Sequence, residues 1–255
     1  MTESSPQPAR LLIDAAMEGA SNMAIDQALL ESTAANGQAI LRFYRWAPAT
    51  LSIGYFQKLA SRSEHAASVS CPIVRRASGG GAILHDDELT YSICVASQSS
   101  IARADTDLYD TVHAAIVRAL SEQQIATELY QSPTGAPVKA SPADPFLCFS
   151  RRAIGDIICD GAKVGGSAQR RLKNSLIQHG SLLLSRSQFA PELAGLKELG
   201  GVEVDVGQLQ TRIVALLSEA MGFEFVDSRI SAEEAERASE IEAEKFAAAA
   251  WLEKR

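Results

Sequence analysis

The sequence lacks most of the signatures that betray function at sight. In 255 residues there are only four cysteines and four histidines. Cys71, Cys94, Cys148 and Cys159 form no CxxC pair and no metal-ligand spacing, so they read as reduced thiols in a cytoplasmic protein rather than a disulfide framework. His65, His85, His113 and His179 include no HxxxH or HxH pair, so no zinc or other metal site is expected. No GK[ST] follows a glycine loop, which excludes a Walker motif, and no GxSxG nucleophile elbow is present. No apolar run is long enough to span a bilayer, and no secretory signal is present. The first ten residues, MTESSPQPAR, lack an apolar core, and residues 1–18 are expected to form a disordered lead-in. Positive charge is in deficit: 24 Lys and Arg stand against 31 Asp and Glu, a net charge of −7. That balance argues against nucleic-acid binding.

What is present is organised. NMAIDQALLESTAANG (22–37) has apolar residues at helical spacing, with Asn22 as the expected N-cap and Gly37 beyond the end. AILRFYRW (39–46) and TLSIGYF (50–56) read as two short strands joined by an AlaPro turn. CPIVRRASGGGAILHDDELTYSICV (71–95) reads as strand, glycine loop, short strand, turn, strand. Residues 107–124 predict an amphipathic helix with Leu108, Val112, Ile116 and Leu120 on one face. Residues 131–147 hold four of the nine prolines and no periodicity, so a long loop is expected. AIGDIICDGAKVGGSAQRR (153–171) predicts a hairpin turning at Asp160-Gly161. A strand over 174–185, a helix over 206–223 and a capped helix over 231–255 complete the chain, the last opened by the Ser231/Glu234 capping box. Hairpins mixed with packed helices indicate an α+β fold, with residues 19–255 as one domain.

Three constellations carry chemistry. In RRASGGGAILHDD (75–87) three successive glycines can wrap backbone N–H groups around a ligand. Arg75 and Arg76 alternate across a strand, so only one can face the loop's ligand side. In GAKVGGSAQRR (161–171) Lys163 stands just past a turn, with small neighbours that make room in a cleft. The third is Cys148 in PFLCFS. It ends the proline-rich loop and precedes Arg151 and Arg152, which favour a thiolate, and Lys163, which can assist a nucleophile. Cys71, Cys94 and Cys159 fall in or at strands and read as packing. His85 and His179, beside the glycine motifs, are further site candidates. Seven basic residues crowd 139–173 (Lys139, Arg151, Arg152, Lys163, Arg170, Arg171, Lys173) against Asp144, Asp156 and Asp160. Such a segment suits an anionic substrate or an acidic partner; a solvated hairpin surface is the plain alternative.

Taken together, NMAIDQALL, LRFYRW with TLSIGYFQ, RRASGGGAILHDDELTYS, and GAKVGGSAQRR with LIQHGSLLL resemble, in order, the motifs of the biotin/lipoate ligase and octanoyl transferase family. The resemblance spans about residues 20–185. It implies a single mixed β-sheet flanked by helices, similar to the catalytic domains of class II aminoacyl-tRNA synthetases and biotin ligases. It also implies an acyl cleft built from Arg75, Arg76, Ser78, Gly79, Gly80, Gly81 and His85 on one side and Gly165, Gly166, Ser167, Gln169, His179 and Gly180 on the other. In one transferase subgroup a Cys-Phe pair precedes the lysine loop, as Cys148-Phe149 precedes Lys163 here. That subgroup resemblance implies an octanoyl transferase in which Cys148 takes octanoyl from acyl carrier protein and passes it to a lysine of a lipoyl-domain or glycine-cleavage H protein, with no cofactor. The alternatives are an ATP- and Mg-dependent lipoate–protein ligase, with Lys163 holding an acyl-adenylate, and an amidotransferase between lipoyl proteins. About 70 residues follow position 185, too few for the ligase accessory domain plus a closing helix. The chain departs from the family pattern in the basic Arg151-Arg152 and in Asp87-Glu88, where a Gly-Asn pair is common.

Overall fold

The computed structural model describes residues 5–102, 107–132 and 145–255. Most of the long loop expected at 131–147 lies outside these residues. An eight-stranded sheet runs through the molecule in the order β11-β1-β2-β6-β10-β9-β8-β7. Its strands are β1 (Gln7–Ile13), β2 (Ile40–Tyr44), β6 (Glu88–Ala96), β7 (Glu128–Leu129), β8 (Ile157–Cys159), β9 (Ala162–Leu172), β10 (Ser175–Leu183) and β11 (Phe223–Asp227). β1 pairs in parallel with β2 and β11, while the remaining neighbours are antiparallel, so the sheet is mixed.

Strand residues alternate between the two faces, as a pleated backbone requires. Leu41, Phe43, Ile93 and Val95 face one way and pack under α2 (Asp107–Glu122) and α4 (Val206–Met221). Ile40, Tyr44, Cys94 and Ile177 face the other way, under α1 (Gly19–Asn36), α5 (Ala232–Ile241) and Phe246. A short α3 (Leu196–Gly200) follows the last hairpin. A second sheet, in the order β4-β3-β5, is built from β3 (Thr50–Ile53), β4 (Ile73–Arg75) and β5 (Ile83–His85), and carries the glycine loop between β4 and β5. Among the described residues no helix is long and apolar enough to cross a membrane.

Three expectations need correction. The lead-in is ordered from Gln7, because β1 fills the gap between β2 and β11 and Arg10 is fixed by Glu234 at 2.5 Å. Asn22 lies inside α1 rather than capping it: the helix begins at Gly19, and the Asn22 amide donates to the carbonyls of Met17 and Arg45. The two strands expected on either side of Ala47-Pro48 are present, β2 in the large sheet and β3 in the small one. The C-terminal helix is broken by a π turn at Glu242–Phe246, which drives Phe246 into the core before α6 (Ala249–Leu252).

Candidate active site

The cleft lies where the small sheet meets β9 and β10, with an empty volume of about 520 Å³ that includes space open to solvent. Cys148 opens a single 3-10 turn, Cys148–Ser150. Its amide donates to the Ala82 carbonyl at 2.7 Å, and the Ala82 amide donates to Phe146 at 3.0 Å. Cysteine segment and glycine loop are thereby tied together. Cys71, Cys94 and Cys159 are buried, and burial pushes each thiol up; Cys148 is the one partly open to the cleft.

Lys163 reaches the sulfur because the hairpin turn places it there. Asp160 and Gly161 both take positive φ, 43° and 72°, the geometry of the tightest hairpin turn. Lys163 Nζ lies 3.9 Å from Cys148 Sγ and 2.8 Å from Asp156 Oδ2. Asp156 is buried, and it accepts from the Tyr109 hydroxyl at 3.0 Å and the Ala153 amide at 2.6 Å. A lysine held between a buried carboxylate and a thiol is fixed as a directed cation, since a buried charge without a partner is costly. Gly166 makes the arrangement possible. A Cβ there would come within 2.6 Å of Lys163 Cε and 2.8 Å of Nζ.

The glycine loop is held from behind. The buried Arg76 guanidinium donates to the carbonyls of Gly79 at 3.1 Å and Gly81 at 2.8 Å, and to the backbone and hydroxyl oxygens of Ser52. Burial lowers its pKa to about 10, which leaves it cationic near neutrality. Gly80 has φ +93°, and a Cβ placed on it would sit 4.0 Å from Sγ. Among the described residues the amides of Gly79, Gly80 and Gly81 donate to no protein acceptor.

Because Arg76 donates to Ser52 Oγ, that hydroxyl donates on to His85 Nε2 at 2.6 Å, and His85 Nδ1–H donates to Glu88 at 2.6 Å. This tautomer is assigned from the network. Burial lowers the His85 pKa, so the ring stacked on Trp46 at 3.8 Å is a neutral imidazole. His179 Nε2 lies 2.5 Å from Ser78 Oγ. Met23, Tyr44, Trp46 and Ile83 supply apolar walls.

Of the residues anticipated from sequence, Cys148, Lys163, Arg76, Gly79, Gly80, His85, Gly166, Ser167, His179 and Gly180 all line this cleft. Ser78 and Gly81 support it from behind, Gly81 against the Cys148 backbone. Three do not reach it. Arg75 turns away and binds the carbonyls of Gln57 and Leu252. Gly165 packs on Ile157, and Gln169 pairs with Gln178. Arg75 and Arg76 therefore divide as strand alternation required, with Arg76 on the site side. Asp156 and Tyr109, which hold Lys163 in place, are the residues that sequence reasoning does not single out; His113 is a buried core residue. The turn at Asp160-Gly161 pairs Ile158 with Lys163, but a bulge between Ile157 and Ile158 sets Ile157 opposite Gly165 and so brings Asp156 beside Gly166; nothing in the local sequence marks that bulge.

A sequence model described as the lipoyl protein ligase A/B catalytic domain matches residues 18–217. The chain belongs to that family. Octanoyltransferase LipM of Moorella thermoacetica is 32% identical, over 96% of this chain and 98% of its own length. Octanoyltransferase LipM of Clostridioides difficile is 32% identical over 91% and 94%. Among solved structures, the bi-partite lipoate protein ligase of Thermoplasma acidophilum superimposes with a TM-score of 0.76 at 20% identity, covering 97% of both chains. Lipoate-protein ligase A bound with ATP gives 0.76 at 20% identity, covering 97% of this chain and 99% of that one. These two establish the fold, and the lipoyl ligase family accounts for the motif order along the first 185 residues.

Proposed function

We propose that this protein is an octanoyl transferase of lipoate assembly, working through a thioester on Cys148. The observation that carries the reading is Lys163 Nζ 3.9 Å from Cys148 Sγ, at the mouth of an apolar-walled cleft. The relatives named octanoyltransferase, matched over nearly their whole length, support the reaction class.

In the first half-reaction the Cys148 thiolate attacks the thioester carbonyl of octanoyl-acyl carrier protein. A C–S bond forms to Cys148, the original C–S bond breaks, and the carrier thiolate leaves. In the second, the uncharged amine of an acceptor lysine on a lipoyl-dependent protein attacks the acyl-enzyme. A C–N bond forms, Cys148 leaves as thiolate, and the amine's surplus proton passes to solvent. Lys163, held by Asp156, faces the thiolate as an ammonium, and stabilises it before attack and on departure. The free glycine amides near Sγ suit the oxyanion that forms in each step. An already activated thioester donor needs no ATP.

The test separates donors. Octanoyl-carrier alone should label the acceptor and leave an octanoyl adduct on the enzyme by intact mass; Cys148→Ala should lose both. Full activity in that variant sinks the mechanism. Labelling that demands octanoate plus ATP makes the protein a ligase, and labelling from an octanoylated lipoyl protein makes it an amidotransferase.

A further inference from the structure

The cations expected to dock a partner are largely engaged within the fold. Lys163 pairs with Asp156, Arg152 donates to Gly161, Arg170 to Ala77 and Arg171 to Ala102. A different basic surface stands beside the cleft. The chain end returns across the small sheet, where the Leu59 amide donates to the Arg255 carbonyl at 3.2 Å. It brings Lys254 and Arg255 around Tyr55 and Phe56. Lys254 Nζ sits 4.8 Å from the Tyr55 ring centre, and the Arg255 guanidinium 5.2 Å from those of both Tyr55 and Phe56. With Lys58 they wall an open concavity floored by Phe56, which is 70% exposed. Among the described residues none of these three cations pairs with a carboxylate, whereas Arg10, Arg42, Arg212 and Arg237 all do.

We infer that this surface, centred on Phe56 and formed by Lys58, Lys254 and Arg255, docks the acidic protein that carries the acyl thioester. The inference rests on the transferase reading above. Two observations favour that occupant. A chain of net charge −7 repels an acidic protein on average, so such a partner is drawn to a locally cationic face. The face also adjoins the chemistry. A Cβ on Gly79 would sit 3.8 Å from the Phe56 ring, and Gly79 and Gly80 line the cleft that holds Cys148. Gln57, next along, donates to the Phe146 carbonyl, two residues before the nucleophile. A carrier seated here brings a phosphate-linked thioester arm to the cleft mouth past three cations. The exposed phenylalanine offers the apolar contact that interfaces concentrate at their centre.

The test uses the full chain with the paired substitution Lys254→Glu and Arg255→Glu, and separately Lys58→Glu. Acyl-enzyme formation is timed with octanoyl-acyl carrier protein and with octanoyl-N-acetylcysteamine, a small thioester without carrier or phosphate. The ratio of the two rates should fall at least tenfold in the paired variant, and the wild-type fall in carrier rate with added salt should flatten. An unchanged ratio overturns the proposal, as does a loss confined to the later transfer to the acceptor, which would place the acceptor on this face. Binding of labelled holo-carrier is followed in parallel by fluorescence anisotropy. Were wild-type enzyme to bind carrier through these residues yet form no adduct from either donor, the transferase reading would fail and the docking surface would stand.

Discussion

At the scale of single residues, the site depends on where side chains are withheld. Gly166→Ala would drive a methyl group into the space of the Lys163 ammonium and against Asp156, so acyl-enzyme formation should slow at least tenfold and the melting temperature should fall with it, as the buried pair is disturbed. A normal acylation rate would show that Lys163 can work from elsewhere. Asp156→Asn removes the counter-ion of a buried lysine and should cost about 3 kcal/mol of stability, measured by urea unfolding, together with slower acylation. Stability within 1 kcal/mol of wild type would mean that Lys163 escapes to solvent. Both residues mark the limit of what the sequence displays. Cys148 and Lys163 were visible as residue types at a suggestive spacing, whereas Asp156 acts only through the hairpin's register and burial, neither of which its one-dimensional neighbourhood displays.

Elements were legible where local pattern and tertiary demand agree. The hairpin of β8 and β9 turns at Asp160-Gly161, and the Ser231/Glu234 box caps α5 with the hydroxyl accepting from the Glu234 amide at 3.1 Å. Ser231→Ala should therefore cost about 1 kcal/mol by chemical denaturation, and a neutral result would mean that the Arg10–Glu234 pair holds this turn alone. They were illegible where distant pairing decides. β1 reads as a polar lead-in because its order comes from β2 and from β11, more than 200 positions away. The alanine-rich C-terminal stretch has every local reason to continue as one helix. It breaks because Phe246 is worth more in the apolar pocket with Met23 and Leu30 than on a continuous helix face.

For the molecule as a whole, acid should be the weak flank. Burial lowers the His113 pKa to about 4 from an ordinary 6.5, its Nδ1–H held by the Gly155 carbonyl at 2.7 Å. A histidine depressed in this way stabilises the fold fully above pH 6.5, and that contribution is lost as pH falls towards 4, up to about 3 kcal/mol. Burial alone would raise Glu234 and Asp26. Arg10 and the Ser231 amide override it for Glu234, bringing it to about 2, and His179 and Arg42 override it for Asp26. Their contributions fade below the ordinary carboxylate range, in the same direction. Urea unfolding of wild type should thus weaken steadily from pH 6.5 to 4, with His113→Gln flattening that interval; parallel curves would assign the loss elsewhere. The fold also has a bearing on the order in which a chain is made. Arg75, at the foot of the glycine loop, is anchored by the carbonyls of Trp251 and Leu252, and the indole of Trp251 donates back to the Arg75 carbonyl. β1 likewise waits for β11. On the ribosome, the first strand and the loop beside the nucleophile stay unfinished until residues 223–252 have emerged, so a nascent chain carries its cysteine without a completed cleft around it.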